Sequence, residues 1–229
     1  MTREILSGEI DPETMLQLRE VFKEMRSPVE LEVVVKRGDK ASDEALKFVK
    51  SIEEASPIVE GQRMIRLKVS FEERSNVRTP VIKLLGGKIR FLGLPVGEEL
   101  RAFVETIMRI SEGDSGLSPR AREIIRSLKA KRVIQVIVTP PCPYCPYASL
   151  LSNMMAFESH LVGGMLESEI IEAFENPDIA DMYGVSTVPA IVIDGKPVYV
   201  GVPTDEELAE MIVNPQTRGG LSWSSGGMW

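Results

Sequence analysis

Cys142-Pro143-Tyr144-Cys145 contains the only two cysteines of the 229-residue chain. A disulfide closed over so short a loop stabilises a fold by only about 2 kcal/mol in the chain-entropy account, so stability is a poor reason for the pair. Structural zinc needs four Cys or His ligands, and the chain offers these two thiols and the single His160. No metal is therefore expected. A dithiol that cycles with its disulfide needs two cysteines at this spacing and nothing more. The chemistry these residues point to is thiol–disulfide exchange, which needs no organic cofactor.

The segments on either side must position the sulfurs. Ahead of the motif, Arg132-Val-Ile-Gln-Val-Ile-Val138 is a β-branched run of strand length, and Thr139-Pro140-Pro141 breaks regular pairing at its end. Behind it, Ala148 to Leu161 spaces Leu151, Met154, Met155 and Glu158 as a helix would. Cys142 thus falls near a helix N-terminus, where unpaired N–H groups and the helix dipole favour a thiolate. No Lys or Arg occurs between positions 133 and 195, so the helix terminus is the expected source of any lowered thiol pKa. Cys142 is expected to be the exposed nucleophile, and Cys145, one turn further in, the resolving thiol.

Strand, Cys-Pro-Tyr-Cys and helix together resemble the opening of a glutaredoxin or thioredoxin-fold active site. A later stretch, Asn176-Pro-Asp-Ile-Ala-Asp-Met-Tyr-Gly-Val185 followed by Ser186-Thr-Val188-Pro189-Ala-Ile-Val-Ile-Asp194-Gly195, resembles the same family's helix and the proline-led strand that faces the dithiol. The likeness covers most of residues 119 to 213. It implies that Pro189 is a cis-proline, that the Val188 backbone pairs with an extended substrate peptide, and that Pro143 and Tyr144 also touch substrate. A buried acid shuttles protons in related folds, which makes Glu172 the candidate here; a solvated surface carboxylate is the commoner alternative.

The chain also repeats itself. Gly87 to Leu100 (GKIRFLGLPVGEEL) aligns without gaps on Gly195 to Leu208 (GKPVYVGVPTDEEL), with seven of fourteen pairs identical. Thr79-Pro80-Val81 answers Val188-Pro189-Ala190, and Leu31 to Val35 answers Ile134 to Val138. Asp11-Pro12 and Ser118-Pro119 each supply an N-cap and a proline for a first helix. The expected organisation is α/β: two tandem thioredoxin-like folds, residues 1–117 and 118–229, each a central mixed sheet flanked by helices. A turn-rich connector, Ser111 to Ser118, joins them. Where the second unit has Cys142 and Cys145 the first has Asp39 and Ser42, so the first cannot exchange disulfides.

The whole resembles the tandem thioredoxin-fold, glutaredoxin-like protein disulfide oxidoreductases of thermophilic archaea and bacteria. Members commonly carry a dithiol in each half, and Asp39 and Ser42 depart from that pattern. The resemblance implies a dithiol–disulfide oxidoreductase that reduces, forms or exchanges disulfides in protein substrates, with an NADPH-dependent, thioredoxin-reductase-like electron donor. A second relative, the N-terminal module of flavoprotein peroxiredoxin reductases, keeps one dithiol and opens an alternative, a dedicated electron carrier to a peroxiredoxin-type partner. A noncatalytic peptide- or partner-binding module is a further alternative. No G-x-G-x-x-G for a flavin or nicotinamide is present.

Charge and composition narrow the partners. The net charge of −7, with no cation through the middle of the second half, argues against nucleic acid. No apolar run approaches the ~20 residues of a membrane span, and Met1 to Glu13 carries charges where a signal peptide would be apolar. A soluble, cytoplasmic protein is expected. Only eight side-chain amides occur, which suits a thermophilic source, although compositional drift explains it equally. His160 reads as a surface or core imidazole, Met154, Met155 and Met165 as core fillers, Glu175 as a strand residue, and Asp39 as a loop carboxylate or helix N-cap. The Gly/Ser-rich tail from Arg218 reads as disordered by composition, with Trp223 and Trp229 suggesting a docking role.

Overall fold

The computed structural model describes residues 4–215; Trp223 and Trp229, and with them the expected role of the tail, lie outside the described residues. In chain order the elements are α1 (Pro12–Phe22), β1 (Val29–Val35), α2 (Lys40–Ala55), the short pair β2 (Ile58–Val59) and β3 (Gln62–Arg63), β4 (Ile65–Phe71), β5 (Val81–Leu84), β6 (Ile89–Leu92) and α3 (Glu99–Glu112). Then follow α4 (Pro119–Arg126), β7 (Arg132–Val138), α5 (Cys145–Leu161), β8 (Leu166–Glu172), α6 (Pro177–Met182), β9 (Ala190–Ile193), β10 (Lys196–Val200) and α7 (Asp205–Val213). Asp11 and Ser118 cap α1 and α4 as expected: the Asp11 carboxylate accepts the Glu13 and Thr14 amides, and the Ser118 hydroxyl accepts that of Ala121.

The strand run β10-β9-β7-β8-β6-β5-β1-β4 forms one eight-stranded sheet. Its two ends obey the same rule. β1 pairs parallel with β4 and antiparallel with β5, while β7 pairs parallel with β8 and antiparallel with β9. The central join is parallel, from Ile89 opposite Ser168 to Leu92 opposite Ile171. β1, β6, β8 and β7 consequently all run in one direction, and the loops after β1 and β7 open at the same end of the sheet. Strands covered by helices on both faces can be apolar almost throughout. That explains why all four residues of β9 and the last three of β7 are buried.

One continuous core runs through both halves, from Phe48, Phe91 and Phe103 to Met154, Met155 and Phe157. The Phe103 ring stands edge-on to Phe91, with centroids 5.1 Å apart. α5 lies at the middle and is buried around most of its circumference, from Cys145 to Ser159. A helix so enclosed must satisfy its polar side chains internally. Ser168 on β8 donates to Asn153 Oδ1 at 2.8 Å, and Asn153 donates to Thr106 on α3 at 3.1 Å. Glu158 pairs with Arg126 and accepts the hydroxyl of Ser115, fixing the connector between the halves against α5.

Several expectations need correction. α5 starts at Cys145 rather than Ala148, because the chain turns into the helix inside the motif itself. α3 extends to Glu112, so Ser111 and Glu112 belong to helix and the connector begins at Gly113. β8 ends at Glu172, leaving Glu175 in the following turn. Met154 and Met155 are core, but Met165 is half exposed at the entry to β8. His160 needs no correction: it is on the surface near the end of α5, one of the two places expected for it.

Candidate active site

The site forms where β7 stops. The Thr139 carbonyl accepts the amide of Cys142 at 3.1 Å, closing a turn that leads the chain into α5. No side chain caps α5 at Tyr144. The Cys145 amide instead meets the Cys142 sulfur at 3.2 Å and the Cys142 carbonyl at 3.4 Å. Cys142 and Cys145 form a disulfide with Cα atoms 5.5 Å apart. The peptide bond before Pro189 is cis, and the Val188 carbonyl oxygen lies 3.8 Å from the Cys142 sulfur. Pro143 and Tyr144 are exposed beside it. The two separated motifs thus meet, through the β7–β9 pairing that sets Ile137 opposite Ala190.

Cys142 is less open than its position in sequence suggests. Only 9% of the residue is exposed, against none of Cys145, because the disulfide draws its sulfur toward α5 and the Val188 segment covers one side. Cys142 keeps the little exposure the pair has, and Cys145 has none.

Glu172 is buried rather than solvated, at the end of β8. Its carboxylate accepts the amides of Phe174 and Glu175, at 2.9 and 2.7 Å, yet burial outweighs those bonds and pushes its pKa up to about 7. A second acid comes from the other half of the chain. Glu99, the first residue of α3, is 1% exposed; one oxygen accepts the hydroxyl of Ser149 at 2.7 Å, and Oε1 has no partner. Ser149 lies one turn along α5 from Cys145. Burial raises the Glu99 pKa to about 7 as well, and the negative charge of Glu172 adds to the rise. A cavity of about 10 Å³ lies between the two acids, walled also by Gly93, Val138 and Ile170. That is about the space one water needs.

Glu99 did not stand out in the sequence, and the repeat explains why. It aligns with Glu207, which closes a capping box with Thr204 at the start of α7. The signal that separates them is the residue aligned with Thr204: Val96 has no hydroxyl, so Glu99 has no box to close and turns inward.

The first half also buttresses the loop before Cys142. The Glu98 amide donates to the Pro140 carbonyl at 3.0 Å, and a Cβ on Gly97 would come within 2.7 Å of that same oxygen. Arg101 lies 4.5 Å over the ring of Tyr147 in the first turn of α5.

Comparison with known proteins agrees with this geometry. Residues 132–213 match the thioredoxin domain family. A thioredoxin of Methanocaldococcus jannaschii is 39% identical over 83 residues, spanning 36% of this chain and 94% of that protein. The chain belongs to the thioredoxin family. The likeness extends beyond one such domain: a protein disulfide oxidoreductase from Aeropyrum pernix is 41% identical, with a TM-score of 0.87 over 90% of this chain and 94% of that one. The N-terminal domain of an alkylhydroperoxide reductase from Enterococcus faecalis, 21% identical with a TM-score of 0.75, shares the fold over 89% of this chain and 100% of that domain. With its dithiol at the family's position, this thioredoxin relative is a thiol–disulfide oxidoreductase. Among the described residues no helix is long and apolar enough to cross a membrane.

Proposed function

We propose that the enzyme exchanges disulfides in protein substrates through Cys142 and Cys145. The observation that carries this reading is the placement of the Cys142 sulfur, which meets the Cys145 amide at an uncapped helix start and the Val188 carbonyl on its other side. Donors at a helix terminus hold negative charge on sulfur when the pair is reduced. The Cys142 thiolate attacks one sulfur of the substrate disulfide, forming a mixed disulfide and releasing the other substrate sulfur as a thiolate. Cys145 then loses its proton and attacks Cys142; the second substrate thiol departs, and the enzyme is left oxidised.

The proton of buried Cys145 needs an acceptor in the interior. Glu99 suits this better than Glu172 alone, since it has an unpartnered oxygen and a bond to Ser149 on the helix that begins with Cys145. Glu172, across the cavity, is the next carboxylate in line. Pro143, Tyr144, Val188 and Pro189 contact the substrate chain, with the Val188 backbone pairing to it. Residues 1–117 and 118–229 act as two thioredoxin-like units, the first supplying Glu99 and the buttress for Pro140. Electrons come from an NADPH-dependent, thioredoxin-reductase-like donor in the cytoplasm. The second reading, a dedicated carrier to a peroxiredoxin-type partner, is favoured by the single dithiol that Asp39 and Ser42 leave the chain.

Insulin reduction with dithiothreitol tests the first reading. Turnover that vanishes on Cys142→Ser supports it. Turnover only when a peroxiredoxin-type acceptor replaces insulin supports the second, and none with either acceptor sinks both.

A further inference from the structure

α6 is a helix of six residues that does not cap itself. Asn176 stands at its N-cap, where an Asn side chain ordinarily accepts a helix amide, yet it makes no such bond. The residue is buried, and its side-chain amide donates to the carbonyls of Leu92 and Glu172, at 3.0 and 2.9 Å, across the join of β6 and β8. What takes its oxygen comes from the other half of the chain. Between β4 and β5 the first half has no helix to match α6; residues 72–80 form a loop, from which Arg78 reaches over to α6. One Arg78 nitrogen donates to Asn176 Oδ1 and to Asp178 Oδ1, each at 3.1 Å, and the other to Asp178 Oδ2 at 2.6 Å.

We infer that Arg78 is a positioning residue for exchange with protein substrates, fixing α6 and, through it, the Val188 backbone on which the substrate chain pairs. The inference rests on the reading that substrates are proteins held at Val188. Stability is a poor reason for the contact, because the side chains of Arg78 and Asp178 are 41% and 64% exposed, and an ion pair so open to water contributes little. Its geometry is more restrictive. A planar guanidinium bonded through two nitrogens to one carboxylate holds a defined orientation, and the third bond ties that orientation to the buried Asn176. The arginine also holds the Asp178 carboxyl below its ordinary pKa, so the pair stays charged through neutral pH. From that fixed start the position passes along the chain. Beneath α6, Val81 and Leu92 of the first half share one apolar cluster with Ile179, Val185 and Val188. The Val185 amide bonds back to the Ala180 carbonyl at 2.9 Å, three residues before Val188. Arg78 itself lies two residues before Pro80, which answers Pro189 in the repeat. The loop that corresponds to the substrate-pairing segment in the first half thus braces that segment in the second.

Steady-state reduction of insulin and of a small aromatic disulfide by the full-length chain tests this. The small disulfide needs the Cys142 sulfur, which β7 and α5 hold, and no pairing at Val188. Arg78→Ala should therefore raise KM for insulin about fivefold or more with kcat nearly unchanged, the mark of lost binding, and leave kcat/KM for the small disulfide within about twofold. Arg78→Lys keeps the charge without the two-pronged bond and should move KM in the same direction; it keeps the test open if Arg78→Ala does not fold. Arg74→Ala is the control, since Arg74 pairs with Glu72 inside the same loop, and it should leave both substrates alone. The inference is overturned by an insulin KM that neither Arg78 variant moves, by a loss shared equally with the small disulfide or confined to kcat, or by an equal rise in Arg74→Ala. An unmodified enzyme that turns over the small disulfide and not insulin fails the protein-substrate reading instead, before any variant is compared, and the inference falls with it.

Discussion

Asp39–Ser42 and Cys142–Cys145 occupy the same place in the two halves of one sheet, each running from the loop after a strand into the first turn of a helix. In the first, the Asp39 side chain caps α2 and accepts both the amide and the hydroxyl of Ser42. In the second, no side chain caps α5, and the helix-start amide of Cys145 is turned on a sulfur. The same backbone donors thus serve two ends. A fixed charge stabilises the helix and stays there, whereas a sulfur gains charge on reduction and gives it up when it attacks, so its helix terminus serves reactivity.

The largest test of that contrast is the dithiol. Cys142→Ser should lower insulin reduction about a thousandfold or more, and Cys145→Ser should accumulate covalent substrate adducts at Cys142, read by mass spectrometry. Adducts trapped mainly through Cys145 would reverse the assignment.

The acids come next. Glu99→Gln should slow turnover about tenfold to a hundredfold and flatten the pH–rate profile near neutrality. Glu207→Gln, the aligned position, should leave turnover alone; equal losses would show that Glu99 acts only through the fold. The same pair sets a pH dependence of stability. Glu99 and Glu172 each have a pKa raised from 4.5 to about 7, so the folded protein holds protons that the unfolded chain releases. Stability is full below about pH 4.5 and falls as the pH rises through about 7, by up to about 3 kcal/mol for each group. Urea denaturation at pH 5 and pH 8 should show this loss, reduced in Glu99→Gln. A pH-independent midpoint in the unmodified protein would remove the buried-acid account.

Smaller effects probe the join between the halves and the cap of the first. Gly93 has φ +95°, and an added Cβ would lie 2.9 Å from that of Glu172. Gly93→Ala should destabilise by about 2 kcal/mol, measured as a lowered Tm; an unchanged Tm would mean that this contact relaxes freely. Asp39→Ala should cost about 1 kcal/mol, the usual loss of an N-cap, and a larger loss would assign Asp39 more than capping.

Much of this protein was legible in one dimension because the relevant patterns are local or repeated. The Cys142–Cys145 spacing, the apolar run ending at Val138, the Asp11-Pro12 and Ser118-Pro119 helix starts and the paired Gly87–Leu100 and Gly195–Leu208 segments all depend on neighbours in sequence. From these followed the dithiol, the α/β class and the inertness of Asp39 and Ser42 toward disulfides. What only the tertiary structure decided depends on burial and on contacts between distant segments. For Glu172 a buried proton shuttle and a solvated surface acid both stayed open, because its neighbours in sequence do not reveal that Gly93 and Glu99 close over it. Glu99 gave no signal in the sequence because its alignment with Glu207 preserves the residue and not its surroundings. Pairing β6 with β8 turned two copies of one fold into a single sheet with a shared interior. That interior desolvates a carboxylate from one half beside the helix that carries the thiols of the other, and desolvation is a property of packing that residue identity alone does not encode.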